Sequence, residues 1–354
     1  MAQLKVNAKQ AEDDVTLESI VNEIISEYIT EPGNVGLVVG LIDDTAKVTI
    51  GYGRMQAGKE ERPDGNSYFE IGSITKPFTA LAALEMEKAG IIKLTDPIIK
   101  YLPDSLNNDA LSKISIHDLI SHKAGFPRKP YNLSLTITDE ENPYNNYSEQ
   151  DLLSYLSVFK PLKSKKKKKA QFKYSNLGYG VLSYVLEQAA NQSYEKLLKQ
   201  YVLNPLNLNN TKVELSKRDS LKMITPHNFK GEPTAIYGYQ AMLGSSALKS
   251  SANDLLNFID LNISPNTEIA LEESVNKQVE TNIKRIYMAY GWHLIDRGKR
   301  FPAVITHNGG TGGCRSYVAF IKETKTGVVV LSNSANRVDD IGIELLELLN
   351  QGKY

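Results

Sequence analysis

The spacing of apolar residues along the chain predicts both helices and strands. Apolar residues recur at helical intervals over residues 17–29, which predicts an amphipathic helix with one face to bury. Two β-rich runs follow, VGLVVGLIDD from Val35 and AKVTIGYGRM from Ala46, and the polar turn between them predicts a hairpin. After Ser73, the run ITKPFTALAALEMEKAG predicts a second helix that ends at Gly90.

The rest of the chain favours helices first and strands later. Residues 94–210 contain short helical patterns separated by long polar loops. They are followed by a helical run, SANDLLNFI, by the β-rich runs MAYGWHLID, AVITHNG, RSYVAFIKE and GVVVLSNS, and by a final amphipathic helix, DDIGIELLELL. This order predicts an α/β (α+β) fold, in which an antiparallel sheet is flanked by N- and C-terminal helices and carries an inserted helical part.

The length of the chain predicts two structural units. A chain of 354 residues exceeds the size at which a single hydrophobic core usually stops growing. We expect residues 1–93 and 211–354 to form an α/β sheet unit and residues 94–210 to form a mainly helical unit. An active site is expected between the sheet and the helical insertion.

Charge and composition narrow the possible partners. The 41 basic residues (Lys and Arg) balance the 41 acidic ones, so no net field attracts nucleic acid, and no apolar run is long enough to span a membrane. We expect a small-molecule or peptide substrate, no nucleic acid and no transmembrane segment, and the oligomeric state stays open. The polar start, MAQLKVNAKQAEDD, has no export-signal core. The chain is therefore either cytoplasmic or a processed form, and we favour an extracytoplasmic (periplasmic or secreted) location.

The first candidate for chemistry is an S-x-x-K pattern at the start of the second predicted helix, Ser73-Ile74-Thr75-Lys76. The spacing places the hydroxyl and the amine on one helix face, where the lysine can relay the serine proton or stabilise the alkoxide. The helix N-terminus also favours negative charge. Four letters alone are a common pattern, and a capping serine followed by a solvated lysine is the alternative interpretation.

The second candidate is Tyr174-Ser175-Asn176 in the segment FKYSNLGYGVL, before another helical run. A tyrosine held beside lysines can fall below its ordinary pKa of about 10 and serve as a general base toward serine. Asn176 offers an amide that can orient a substrate or a lysine. A buried structural tyrosine followed by an asparagine turn would give the same letters.

The third candidate reads HNGGTGG and follows the predicted strand AVIT, with His307, Asn308, Gly309 and Gly310 at its start. Glycines at a strand edge let a substrate approach closely, and His307 can donate a hydrogen bond or transfer a proton. A backbone N–H of this strand could complete an oxyanion hole with the N–H of Ser73. A glycine-rich hairpin with a surface histidine is the alternative.

Together, the patterns S-x-x-K, Y-x-N and H-x-G resemble, in this order, the motifs of the serine β-lactamase and penicillin-binding-protein superfamily, on its class C side. The segment HNGGTGGCRSYVAF is similar to the class C form of the third motif, KTGSTGGFGSYVAF, with His307 in place of the lysine. The stretches ISHKAGFP, YSNLGYGVLSYV and GSSALKSSANDLLNFI are also family-like, so the resemblance extends from about residue 17 to about residue 349. It implies a β-lactamase/transpeptidase-like fold and a serine hydrolase without a cofactor.

The resemblance also implies roles for single residues. Ser73 would be the acylated nucleophile and Lys76 its proton partner. Tyr174 would be the general base in acylation and would activate water in deacylation. Asn176 would bind the acyl side chain of the substrate.

In the third motif, the resemblance implies that His307 lies beside the substrate and that the N–H of Gly310 pairs with that of Ser73. Asn308 and Gly309 belong to the same substrate-binding strand. A histidine in the lysine position is similar to D-alanyl carboxypeptidases, D-aminopeptidases and several esterases of the family. We therefore expect a D-amino-acid peptide, an amide or a small ester as substrate.

Several alternatives stay open at this point. The chain could be a class C-like β-lactamase, or a protein that binds penicillin or muropeptides, or transfers the acyl group, and hydrolyses slowly. Relatives usually have Pro-Gly ahead of the tyrosine motif, whereas this chain has KKKKKAQFK, whose lysines are either solvated or bind an anion.

Two other chemistries are less favoured. Cys314 could act as a nucleophile with His307, but it stands where relatives carry an aromatic packing residue. The five histidines show no zinc-ligand spacing, so we expect no metal site.

Overall fold

The computed structural model describes residues 17–161, 172–351 and 353. The lysine-rich segment 163–170 lies outside the described residues, so the interpretation of its lysines stays a prediction. The α-helices within the described residues are α1 (Leu17–Thr30), α2 (Thr75–Lys88), α3 (Ile116–Ile120), α4 (Glu149–Val158), α5 (Asn176–Ala190), α6 (Tyr194–Leu198), α7 (Lys217–Ser220), α8 (Leu243–Ser246), α9 (Ala252–Ile263), α10 (Leu271–Ser274) and α11 (Asp339–Leu349).

The strands form one large sheet and one short pair. They are β1 (Gly36–Ile42), β2 (Lys47–Gly53), β3 (Phe69–Glu70), β4 (Lys249–Ser250), β5 (Val279–Glu280), β6 (Ile286–Met288), β7 (His293–Ile295), β8 (Val304–Gly310), β9 (Arg315–Ile321) and β10 (Thr326–Ser332). The large sheet has eight strands in the order β2-β1-β10-β9-β8-β7-β6-β5, and all neighbouring pairs are antiparallel. The predicted N-terminal hairpin is β1–β2, so this part of the prediction is confirmed.

Both faces of the large sheet are covered, as the alternating strand pattern requires. Leu37 and Val39 of β1 belong to one apolar cluster with Val21 of α1 and Leu345 of α11. Val38, between them in the sequence, belongs to a second cluster that continues through α9 into the helical part of the chain. The predicted antiparallel sheet, flanked by the two terminal helices, is therefore confirmed.

One of the predicted strands is divided in two. The run MAYGWHLID begins at Met288, the last residue of β6, and contains all of β7, and these two strands pair antiparallel across a tight turn. Gly291 in this turn has a φ of +81°, and a Cβ there would lie 2.7 Å from the backbone nitrogen of Pro77 in α2. The single-strand prediction was wrong because a glycine in the left-handed region reverses the chain where α2 leaves no room for a side chain.

The larger apolar cluster contains residues of α2, α5 and α9, so it extends across both predicted units. The division into residues 1–93 with 211–354 and residues 94–210 stays a prediction. Over the ranges given above, the helices are too short or too polar to cross a bilayer.

Candidate active site

Ser73 lies in a 3₁₀ turn, Gly72–Ile74, that leads directly into α2. Gly72 has a φ of +49°, and a Cβ at this position would lie 2.5 Å from the backbone nitrogen of Gly310 in β8. Only glycine tolerates both this φ and this close approach of another backbone. The turn therefore places Ser73 at a helix N-terminus, directly beside the third sequence motif.

Lys76 is fully buried beneath Ser73. Its Nζ lies 3.1 Å from the Oγ of Ser73, 2.9 Å from the Oδ1 of Asn176 and 2.8 Å from the carbonyl oxygen of Ser245. Burial, and to a smaller extent the charge of Arg128, hold the pKa of Lys76 well below its usual range. As an ammonium, Lys76 would donate all three of these hydrogen bonds. As the neutral amine that the lowered pKa favours, it would donate to Asn176 and Ser245 and accept the proton of the Ser73 hydroxyl.

The phenol of Tyr174 interacts with the side chain of Ser73. Burial raises the pKa of Tyr174 to about 12, because the interaction with Ser73 and the charge of Arg128 offset the loss of water only in part. The expectation that neighbouring lysines push this pKa below 10 was therefore wrong. The Nζ of Lys76 lies 4.9 Å from the centroid of the Tyr174 ring.

Asn176 is the first residue of α5, and the start of this helix is fixed by a neighbouring loop. Ser175 caps the helix, since its Oγ accepts the N–H of Gly178 at 2.8 Å. The N–H of Ser175 donates to the Nδ1 of His122 at 3.1 Å, and the carbonyl of Arg128 accepts the N–H of Asn176 at 3.1 Å. This network holds the second motif against Lys76.

His307 lies behind the wall of the site. Its side chain is 1% exposed, and its ring centroid lies 4.9 Å from that of His293 and 6.3 Å from that of Tyr174. Burial is the main cause that lowers the pKa of His307 well below its usual range, so the imidazole is neutral. A direct contact between His307 and the substrate stays a prediction.

The end of β8 directs a backbone donor toward Ser73. Gly310 is paired with Arg315 of β9, and the next N–H, that of Thr311, donates to the carbonyl of Cys314 at 3.1 Å. Because hydrogen-bonded and non-bonded pairs alternate along an antiparallel ladder, the N–H of Gly310 points away from β9. That direction is toward the turn that carries Ser73, in agreement with the close contact between Gly72 and Gly310.

Asn308 and Gly309 line the same wall of the site. The Nδ2 of Asn308 donates to the Oδ1 of Asp339 at 2.5 Å, which ties β8 to the start of α11. A Cβ at Gly309 would lie 2.1 Å from the carbonyl oxygen of Ile71, so the strand can reach the serine turn only with glycine at this position.

Comparison with known proteins agrees with this geometry. The family profile described as "Beta-lactamase" matches residues 21–350. The chain belongs to the Beta-lactamase family, within the serine β-lactamase and penicillin-binding-protein superfamily. The predicted resemblance is therefore confirmed, and membership of this family indicates a serine hydrolase.

Its similarity to individual members is distant but covers nearly the whole chain. A "Beta-lactamase" of Pseudomonas fluorescens is 24% identical over 90% of this chain and 93% of its own length. The "D-alanyl-D-alanine-carboxypeptidase/endopeptidase AmpH" of Escherichia coli (strain K12) is 22% identical over 95% of this chain and 92% of its own length. A crystal structure titled "Beta-Lactamase/D-Alanine Carboxypeptidase from Pseudomonas syringae" has a TM-score of 0.81 at 21% identity, over 96% of this chain and 99% of the other. The fold is β-lactamase/transpeptidase-like, as predicted.

This member of the Beta-lactamase family has a cleft of about 790 Å³ above Ser73. Ser73, Tyr174, Asn176, Asn308, Gly309 and Gly310 line it, whereas Lys76 and His307 lie beneath its surface. The sequence analysis did not single out several other lining residues: Arg128, Tyr144, Tyr237, His293, Arg315 and Arg337. The sequence could have pointed to one of them, because Arg315 stands where the class C third motif, KTGSTGGFG, ends in glycine.

Cys314 is fully buried, whereas a nucleophilic cysteine needs a partly exposed site with positive charge nearby. Burial, together with the charge of Glu70, raises the pKa of the thiol well above its usual range. The thiol stays protonated beside Glu70 and Thr311, which weighs against a pair with His307. In the described part of this family member, no group of three or more His, Cys, Asp or Glu side chains is arranged to hold a metal ion.

Proposed function

We propose that the protein is a serine hydrolase that forms an acyl-enzyme at Ser73 and acts on a D-amino-acid peptide, an amide or a small ester. The observation that carries this proposal is the buried Lys76 amine, 3.1 Å from the Ser73 hydroxyl and held by Asn176 and Ser245. A buried lysine with a lowered pKa can accept a proton at neutral pH, which an ordinary solvated lysine cannot do.

The proposed acylation step starts with Lys76 as a neutral amine and Tyr174 as a neutral phenol. The Oγ of Ser73 attacks the carbonyl carbon while its proton passes to the neutral Lys76. As the bond to the leaving group breaks, Tyr174 gives its phenolic proton to the leaving atom. The acyl-enzyme then contains a Lys76 ammonium and a Tyr174 phenolate, which attract each other in a site with little water.

Deacylation reverses these proton movements. The Tyr174 phenolate takes a proton from water, and the resulting hydroxide attacks the acyl carbon. The Oγ of Ser73 leaves and recovers its proton from Lys76, so both partners return to their neutral forms. We propose that the N–H groups of Ser73 and Gly310 stabilise the oxyanion in both steps.

The neutral His307 favours peptides and esters over β-lactams as substrates. The class C form of the third motif has a lysine at this position, whose charge would lie beside the substrate, whereas the His307 imidazole is buried and neutral. A class C-like β-lactamase is the second candidate function, because two of the relatives above carry that activity in their names. A binding or acyl-transfer protein would form the same acyl-enzyme but release it slowly.

The substrate class is tested by turnover of p-nitrophenyl acetate, a D-alanyl-D-alanine peptide, a D-alanine p-nitroanilide and nitrocefin. We expect the ester or a D-peptide to be the best substrate, nitrocefin turnover to be slow, and every activity to be lost in Ser73→Ala. Ser264→Ala, at the exposed end of α9, serves as the matched control and should retain activity. A higher kcat/KM for nitrocefin would favour the β-lactamase function, and turnover that survives in Ser73→Ala would exclude Ser73 as the nucleophile.

A further inference from the structure

Three histidines have their rings close to that of Tyr174, and one of them, His293, lines the cleft. The ring centroids of His122, His293 and His307 lie 4.6 Å, 6.2 Å and 6.3 Å from that of Tyr174. His122 and His307 are buried, whereas His293 is partly exposed and lines the cleft together with Ser73. Of these three imidazoles, that of His293 is therefore the one that can meet a molecule in the cleft.

The three histidines also differ in their hydrogen bonds. The Nδ1 of His122 accepts the N–H of Ser175 at 3.1 Å, and the Nδ1 of His307 lies 2.6 Å from the carbonyl oxygen of Asn308. No comparable partner reaches a ring nitrogen of His293 from residues 17–161, 172–351 or 353. The ring nitrogens of His293 can therefore bind a molecule in the cleft.

The position of His293 is fixed by two contacts of its own strand. Gly291, two residues earlier, packs closely against Pro77 in the first turn of α2, and His293 itself pairs with Thr306 of β8. Its ring lies nearly parallel to that of Tyr174, at an interplanar angle of 16°. His293 is thus held beside the group that we propose as the base of deacylation.

The protonation state of His293 suits a hydrogen-bond acceptor. Burial is the main cause that lowers the pKa of His293 to about 4, so its imidazole is neutral near pH 7. A neutral imidazole has one N–H that donates and one bare nitrogen that accepts. The bare nitrogen can accept a hydrogen bond from a water molecule.

The proposed deacylation step needs such an acceptor. The attacking water gives one proton to the Tyr174 phenolate, and an acceptor for its second O–H would direct the oxygen lone pair toward the acyl carbon. Lys76 is an ammonium at this stage and has no acceptor atom. The neutral imidazole of His293 can supply one.

We propose that the bare ring nitrogen of His293 accepts a hydrogen bond from the second O–H of the attacking water, and that His293 thereby favours water over other acceptors of the acyl group. The first proton of the water moves to Tyr174, the oxygen bonds to the acyl carbon, and the Oγ of Ser73 leaves with a proton from Lys76. His293 keeps its protonation state throughout. This inference rests on the proposed function, since it decides between hydrolysis and acyl transfer at the same site.

Competition between water and methanol tests the proposal with p-nitrophenyl acetate as the acyl donor. Methanol has a single O–H, which gives its proton to Tyr174 and leaves none for His293. Gas chromatography measures methyl acetate and acetate at a fixed methanol concentration, after subtraction of the Ser73→Ala background. The ratio of methyl acetate to acetate compares the two acceptors in one acyl-enzyme.

His293→Phe keeps a ring of similar size but removes both nitrogens. We expect the ratio of methyl acetate to acetate to rise about tenfold, as the loss of one hydrogen bond to the attacking water predicts. The kcat/KM for p-nitrophenyl acetate, which reports acylation, should change by less than about threefold. A general structural defect would slow both acceptors and leave the ratio unchanged.

Conservative variants and a matched histidine complete the test. His293→Gln and His293→Asn each place an amide oxygen near one of the two ring nitrogens, and at least one of them should return the ratio to within about threefold of wild type. His117→Phe is the matched control, because His117 is also partly exposed and its ring meets that of Tyr290 edge-on at 5.9 Å. This control should keep the wild-type ratio.

Two outcomes overturn the proposal: a ratio unchanged in His293→Phe, or a raised ratio that neither amide variant restores. A lowered kcat/KM with an unchanged ratio would place His293 in substrate binding instead. If His293→Phe is unfolded in a thermal melt, His293→Leu takes its place with the same expected rise. Ser73-dependent acylation with an unchanged ratio would leave the proposed function intact, whereas the absence of Ser73-dependent acylation would overturn the proposed function itself.

Discussion

At the residue scale, the chemistry of the site depends on which member of the Lys76–Tyr174 pair carries the proton. Lys76 is fully buried and Tyr174 is partly buried in the wall of the cleft. The loss of water disfavours the charged form of each, so it lowers the pKa of Lys76 and raises that of Tyr174 to about 12. We propose that the resting enzyme contains a neutral amine next to a neutral phenol. In this proposal Lys76 is the base for Ser73, and Tyr174 is the acid for the leaving group.

This assignment predicts that the effect of Tyr174→Phe depends on the leaving group. Hydrolysis of a D-peptide, whose amine must be protonated as it leaves, should slow by about a hundredfold or more. Acylation by p-nitrophenyl acetate should slow much less, because p-nitrophenolate leaves without a proton. Deacylation loses its base in both cases, so the acetyl-enzyme should accumulate.

Stopped-flow release of p-nitrophenol measures acylation, and intact-mass spectrometry of the quenched reaction measures the acetyl-enzyme. The contradicting result is an equal loss of acylation rate for the ester and the peptide, with no accumulated acetyl-enzyme. It would mean that Tyr174 is the general base of acylation and not the acid for the leaving group.

At the scale of elements, the site depends on the contact between the 3₁₀ turn before α2 and the end of β8. Gly72, Gly309 and Gly310 bring the two backbones together, and the N–H of Gly310 faces the serine turn. Gly291 lets the β6–β7 turn pack closely against Pro77 in the first turn of α2. The turn that carries Ser73 and the start of α2 that carries Lys76 are thus both held by strands of the large sheet.

We expect Gly72→Ala to impair both stability and catalysis. The new Cβ would meet the Gly310 backbone at 2.5 Å, in a residue whose φ is +49°. Displacement of Gly310 removes an oxyanion donor, so kcat/KM should fall by about a hundredfold. The matched control is Gly90→Ala at the end of α2, where φ is +74° but no described residue beyond the adjoining backbone comes within 4 Å of the new Cβ.

Gly90→Ala should therefore lose about 1–2 kcal/mol of stability from the backbone conformation alone and keep its activity. Urea denaturation and kcat/KM for p-nitrophenyl acetate separate the two effects. If the free energy of unfolding and kcat/KM changed equally little in both variants, the close approach of β8 to the serine turn would not be needed for stability or catalysis.

At the scale of the whole molecule, the sequence predicted what depends on local spacing. Apolar periodicity was sufficient for the terminal helices, the N-terminal hairpin and the antiparallel sheet. The motif letters were sufficient to bring Ser73, Lys76, Tyr174 and Asn176 into one candidate site. There Lys76 forms hydrogen bonds with Ser73 and Asn176, and its Nζ lies 4.9 Å from the centroid of the Tyr174 ring.

Features that depend on tertiary packing could not be predicted in the same way. The sign of the pKa shift of Tyr174 follows from burial, which the lysines around it in the sequence do not indicate. His293 lines the cleft because Gly291 reverses the chain, whereas the apolar pattern there predicts an uninterrupted strand. Arg128 lies over the Tyr174 ring, 5.3 Å from its centroid, although the two belong to different segments of the chain.

The central claim, that Ser73 forms the acyl-enzyme, is tested most directly by locating the covalent adduct. The protein is reacted briefly with a fluorescent penicillin, quenched in acid and digested, and tandem mass spectrometry identifies the modified residue. The account predicts a single acylated peptide with the acyl group on Ser73, which is absent from Ser73→Ala. An adduct on Lys76, on Cys314 or on a peptide outside α2 and its preceding turn would contradict it.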